Sequence, residues 1–128
     1  MILLFDSSSM TAKLHIVQGG QTNTYEWEAG RTLAKNMLQF LEDKISSHGG
    51  SWDDLEGIGI FRGPGSYTGL RIGITVLNTL AESLRIPIVG ATGDEWVDIC
   101  LERLSQGETD KVVLPEYGAD AHITKPRK

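Results

Sequence analysis

An α/β domain on a mixed five-stranded sheet is the fold class that the sequence predicts, and three observations carry it. Residues 1–28 hold three β-rich runs separated by turn residues, the pattern of an antiparallel meander. From Arg31 the apolar residues recur at helical spacing. Two further strand-length apolar runs then alternate with two more helical segments, so helices must cover at least one face of the sheet.

Ile2 to Phe5 is an apolar run of strand length, and "DSSSM" after it supplies side chains that favour a turn. Ala12 to Gln18 alternates weakly and predicts a second strand. "GGQTN" at 19–23 predicts a turn, and the β-formers of Thr24 to Glu28 a third strand. Leu33, Ala34, Met37, Leu38, Phe40, Leu41 and Ile45 mark the apolar face of a helix over 31–47, which "HGG" at 48–50 stops. Ser51 or Asp53 is the expected cap of a short turn. Gly57 to Phe61 predicts the fourth strand, residues 69–85 the second helix, and Ile88 to Gly90 the fifth strand, with Ile86-Pro87 between them. A third helix is expected over 94–104 with Trp96, Val97, Cys100, Leu101 and Leu104 inward. Residues 1–110 then form one domain, and 111–128 a tail with one brief strand.

The chain has 128 residues, enough for a compact domain with a real core. No apolar run approaches the roughly 20 residues that span a bilayer. "MILLFDSSS" lacks a basic leading region, which argues for a buried first strand and against a signal peptide. The net charge of -5 argues against tight, direct nucleic-acid binding, which draws on a basic footprint. Cys100 is the one cysteine, so a disulfide framework and a CxxC metal site are both excluded; a reduced, cytoplasmic setting is expected.

The stretch with the most chemical promise is "FRGPGSYTGLRIG", residues 61–73, a glycine-rich loop that opens a helix. It fails as a Walker A loop, because Leu70 and Arg71 follow Gly69 where lysine and a hydroxyl are needed. It fails as a dinucleotide fingerprint too, because Thr68 holds the position of the third glycine. Two readings remain. Asp6, Ser7, Gly63, Gly65, Ser66, Thr68 and Arg71 could hold an anion or nucleotide at a helix N-terminus. Alternatively the loop is a tight turn, with Pro64 fixing one dihedral, glycines at positive φ and Thr68 as the cap.

Gly69 and Gly73 share one helical face and admit the close approach of another backbone, the chain's own or a partner's. The apolar arc of the second helix covers roughly 200° and that of the first roughly 160°, where a helix on a sheet needs somewhat over ~100°. Both helices therefore have apolar surface to spare for each other and for a partner's helices. The expected partner interface is Leu33, Met37, Leu38, Leu41, Gly69, Gly73, Leu77, Leu80 and Leu84.

"GIGIFRGPGSYTGLRIGITVLNTLAESLRIPIVGAT" resembles the signature region of the TsaB family, also called YeaZ, where the pattern is close to GPGSFTGLRIG and then IPVVGV. The opening "ILLFDSSSMTAKLHIV" is similar to that family's first hairpin, with Asp6-Ser7-Ser8 where Asp-Thr-Ser is usual. The resemblance implies a ribonuclease-H-like domain of the actin-like ATPase superfamily, whose element order also matches. It covers residues 1 to about 100. The closing "KVVLPEYGADAHITKPRK" is similar to the end of longer members, so a shortened form lacking most of the second domain is expected. The resemblance implies a non-catalytic, cofactor-free subunit that makes threonylcarbamoyladenosine (t6A) in tRNA together with TsaD, the metal-holding transferase. The pairing would use the two helices in a four-helix bundle; a homodimer would use a similar face, TsaE would join, and tRNA would be met only within the complex.

A small ATP-binding enzyme of the same superfamily, using Asp6 and the glycine loop, is the competing expectation. A peptidase is disfavoured, since there is neither HExxH nor a GxSxG elbow. His15, His48 and His122 have no neighbour at metal-ligand spacing. Trp27, Trp52 and Trp96 are scattered and make no base-stacking platform. The "KPRK" end at 125–128 reads as a solvated terminus.

Overall fold

A computed structural model of the protein describes residues 1–116. His122, the "KPRK" end and the rest of 117–128 lie outside the described residues. The strands are β1 (Ile2–Asp6), β2 (Thr11–Gln18), β3 (Gln21–Glu28), β4 (Gly57–Phe61) and β5 (Ile88–Ala91). The helices are α1 (Leu33–Ser47), α2 (Tyr67–Leu84) and α3 (Trp96–Ser105). One mixed sheet runs in the order β3-β2-β1-β4-β5, antiparallel across the meander and parallel from β1 through β4 to β5.

Side chains on a strand alternate between faces, and this separates two cores. Leu3 and Phe5 of β1 sit beside Ile58 and Ile60 of β4 and Ile16 and Leu14 of β2. They pack under the Leu33, Met37, Leu41 and Ile45 row of α1 and under Leu70, Ile74, Leu77 and Ala81 of α2. Leu4 points the other way, to Val89, Ala91, Trp96 and Cys100, where α3 covers β4 and β5. Gly59 has no side chain because Leu4 and Cys100 occupy the space where one would stand.

The elements form where the sequence predicts them, with three differences. β3 begins at Gln21, because Gly19 and Gly20 both take positive φ and close a two-residue hairpin that pairs Gln18 with Gln21. α2 begins at Tyr67 and its cap is Ser66, not Thr68; Ser66 Oγ accepts from the Gly69 N–H at 3.3 Å. The physical reason lies outside the helix: the Ser66 N–H donates to Ser8 O at 2.8 Å, which fixes the chain direction at that residue. Residues 111–116 form no strand, and the remainder of the expected tail strand lies outside the described residues. The short turn at Trp52–Asp54 is capped by Ser51.

Candidate functional site

The Asp6-Ser7-Ser8 turn and the glycine loop are one packed unit. Asp6 Oδ1 accepts the Ser8 N–H at 2.8 Å, which closes the turn. Ser7, fully buried, donates its hydroxyl to Gly69 O at 2.7 Å. A Cβ on Gly65 would strike Ser8, one on Gly69 the carbonyl of Ser7, and one on Gly73 the Ser7 hydroxyl. Gly63, at φ 120°, turns the loop and leaves room for the carbonyl of Glu116.

Of the residues expected to hold an anion, the fold thus brings Asp6, Ser7, Gly65 and Ser66 together, with each glycine filled by the chain itself. Thr68 is exposed on the outer surface. Arg71 stands apart from the loop, its guanidinium 5.5 Å from the Tyr67 ring centroid and 3.3 Å from the Tyr67 hydroxyl. Among the described residues no group of three or more His, Cys, Asp or Glu could hold a metal ion.

The expected partner interface needs correction. Leu33, Met37, Leu41 and Leu77 are buried in the chain's own core. Gly73 is buried against Ser7, and Gly69 is half-buried against the same turn. The four core residues face the sheet, and the two glycines face the β1–β2 turn, because the i, i+4 rows they belong to are the ones each helix lays inward. Leu80 and Leu84 are half-buried, and Leu38 stays 52% exposed.

The spare apolar surface is the neighbouring row. Two shallow grooves of about 340 and 320 Å³ follow it: Ala34 lines the first with Ile72, Thr75, Val76, Tyr67, Thr68 and Arg71, and Leu38 lines the second with Thr75, Val76, Thr79, Leu80 and Ser83. Ala34, Ile72 and Val76 belong to the apolar arcs read from the sequence but not to the nine residues expected at the interface, and Thr75 and Thr79 carried no apolar signal. The signal was the excess arc width, whose outer edge is this row and whose inner edge is the core.

Other reactive groups have structural roles. Burial pushes the Cys100 thiol up to about 11. His48 Nε2 lies 2.7 Å from the Tyr25 hydroxyl. His15 Nδ1 lies 2.8 Å from Thr24 Oγ1, and its ring meets Trp96; burial holds its pKa below the ordinary value. Trp27 stacks on Phe40 and Trp96 meets Phe61 edge-on.

A mixed sheet in this order, with two helices on one face and a third on the other, defines a ribonuclease-H-like domain. A family model described as "TsaD: tRNA N6-adenosine threonylcarbamoyltransferase" matches residues 16–93, more than half of the chain. The chain belongs to this family, on its TsaB/YeaZ side. It is 29% identical over 91 residues to the "tRNA threonylcarbamoyladenosine biosynthesis protein TsaB" of Escherichia coli, covering 71% of this chain and 39% of that one. It is 28% identical over 118 residues to a tRNA N6-adenosine threonylcarbamoyltransferase of Geotalea uraniireducens, covering 91% of this chain and 34% of that one. A solved protein described as similar to "peptidase YEAZ from Pseudomonas aeruginosa" superposes with a TM-score of 0.68 at 25% identity, covering 83% of this chain and 49% of that one. The chain spans less than half the length of each of these relatives.

Proposed function

We propose that this protein is a non-catalytic partner subunit in the formation of t6A in tRNA, and that it docks a TsaD-type transferase through the outer face of α1 and α2. The observation that carries the reading is an apolar row on two adjacent helices of one face, with Leu38 exposed and Ile72, Val76 and Leu80 half-buried along the grooves. The chain's likeness to both a TsaB and a transferase supports a pseudo-twofold pairing, in which two related domains present equivalent helix pairs to one another. In isolation the same face would pair two copies, with TsaD competing for it. TsaE would join the assembled pair, tRNA would be met only there, and the setting is cytoplasmic. No helix among the described residues is long and apolar enough to cross a membrane.

The filled glycine loop weighs against the ATP-binding alternative, because Gly63, Gly65 and Gly69 each give their open side to protein atoms and not to a phosphate. The test is calorimetric titration of the protein with TsaD from the same organism, repeated with Leu38→Asp and Val76→Asp. Each variant should weaken binding at least ~10-fold, since a buried charge in a packed interface costs more than 1.4 kcal/mol. Binding equal to wild type in both variants would discard the docking face. Reconstituted t6A formation that runs equally well without the protein would discard the role.

A further inference from the structure

Residues 109–116, "TDKVVLPE", run from the edge of β5 to the glycine loop as a strap, with a tight turn at Lys111, φ 65°, where the Val112 N–H donates to Asp110 O. Their hold is mostly on main chain. At β5, the Ile88 N–H donates to Thr109 Oγ1 at 3.1 Å, the Asp110 N–H donates to Ile88 O at 2.7 Å, and the Gly90 N–H donates to Asp110 Oδ2 at 2.9 Å. Arg103, ion-paired with Asp110, donates to Gly90 O at 3.1 Å. The outward polar groups of Ile88 and Gly90, which a sixth strand would otherwise take, are thus satisfied.

Further along, the amide side chain of Asn78 brackets Val113. Its Oδ1 accepts the Val113 N–H at 2.9 Å and its Nδ2 donates to Val113 O at 3.0 Å. Arg62 Nε donates to Leu114 O at 2.7 Å, and Arg62 O accepts the Glu116 N–H at 2.7 Å. One side chain is taken in. Val113 is 2% exposed and seated at Gly90, where a Cβ would strike it, while Val112 and Leu114 on either side are 60% and 65% exposed. Main-chain bonding around a single inward pocket is how sheet edges read an extended peptide. The groove lies beside the carboxyl end of β4, the side on which open α/β sheets take ligands.

We propose that Arg62, Gly63, Asn78 and Gly90 form a peptide-binding groove, that the strap is its cis occupant, and that an extended partner segment with a β-branched residue before a Leu-Pro step takes the groove when the strap leaves. The occupant's chemistry is read from the segment seated there. The strap can leave because, beside its hydrogen bonds, it buries only one side chain fully, Val113, and belongs to no strand or helix, which places its opening below global unfolding. Gly107, at φ 80° between α3 and the strap, is a hinge for that opening. This inference is independent of the proposed role in t6A formation.

The test uses the full chain and a fluorescent peptide of sequence TDKVVLPE. In the protein variant Val113→Asp the cis occupant cannot seat, so the peptide should bind at least ~10-fold more tightly than to wild type, where the free groove is a minor population. A peptide carrying the same Val113→Asp change should not bind. A folded variant that ignores the peptide, or that binds both peptides alike, overturns the proposal. Hydrogen exchange of the wild-type chain gives the second measurement and decides the matter if the variant does not fold. The amides of Asp110, Val113 and Glu116 should exchange at least ~10-fold faster than those of Leu4 and Ile60. Equal protection would make the strap a permanent part of the core and overturn the proposal as well.

Discussion

A leucine at position 73 would have to displace Ser7, whose hydroxyl occupies the space that a Cβ would take. Gly73→Leu is therefore a folding variant and no clean probe of docking. Even Gly73→Ala, which gains about 1 kcal/mol of helix propensity, meets an overpacking cost of about 1–3 kcal/mol. A net loss of stability in urea denaturation is expected. Ser7→Ala removes the colliding oxygen, so the same glycine change should cost less in that background, a coupling that a double-mutant cycle measures. Asp110 gives the prediction with a pH signature. Its bond with Arg103 holds its carboxyl below the ordinary aspartate value. A folded pKa below the unfolded one means stability that is present above about pH 4 and lost as pH falls through the folded value. Asp110→Asn should thus lower thermal stability at neutral pH, with the gap to wild type closing under acid conditions. A gap that is constant from pH 7 to pH 3 would show that the charge is not what matters.

α1 and α2 each have two edges to their apolar arcs, and the edges do different work. The inner rows bury against β1, β2 and β4 and hold the helices on the sheet. In the outer row Ile72, Val76 and Leu80 are half-buried and lean on the same core, whereas Leu38 is exposed. Leu38→Asp, in the more exposed of these positions, should leave the urea midpoint nearly unchanged while it weakens pairing, since exposed substitutions typically stay within about 0.5 kcal/mol. The start of α2 belongs to Ser66. Ser66→Ala should cost about 1 kcal/mol, read from chemical denaturation, because the Gly69 N–H then loses its acceptor. Thr68→Ala, at the residue that the spacing favoured as cap, should cost less.

Across the whole molecule the glycines of one loop serve two separate parts of the chain. Gly65, Gly69 and Gly73 receive the β1–β2 turn, and Gly63 with Gly90 receives the strap from beyond α3. If the strap is the exchangeable segment inferred above, its amides should open while the sheet stays closed, and exchange rates will report that directly. Both contacts join residues far apart in sequence, as in the bond between Ser7 and Gly69 and the brackets of Asn78 on Val113.

The order of strands and helices, the extents of β1, β4 and α1 to within a residue or two, and the surplus of apolar arc were all legible in the sequence. Periodicity and turn chemistry are local, and local signals survive without coordinates. Which edge of each arc faced the sheet was a different matter, as was the question of what the glycines made room for. Leu33, Met37, Leu41 and Leu77 read equally well as interface or as core, and only the seating of the helices on β1 and β4 assigned them to the core. A glycine records that something comes close, whereas the identity of the neighbour depends on where distant segments land. Here tertiary packing decided it, by placing Ser7 and Glu116 in the spaces the sequence had left empty.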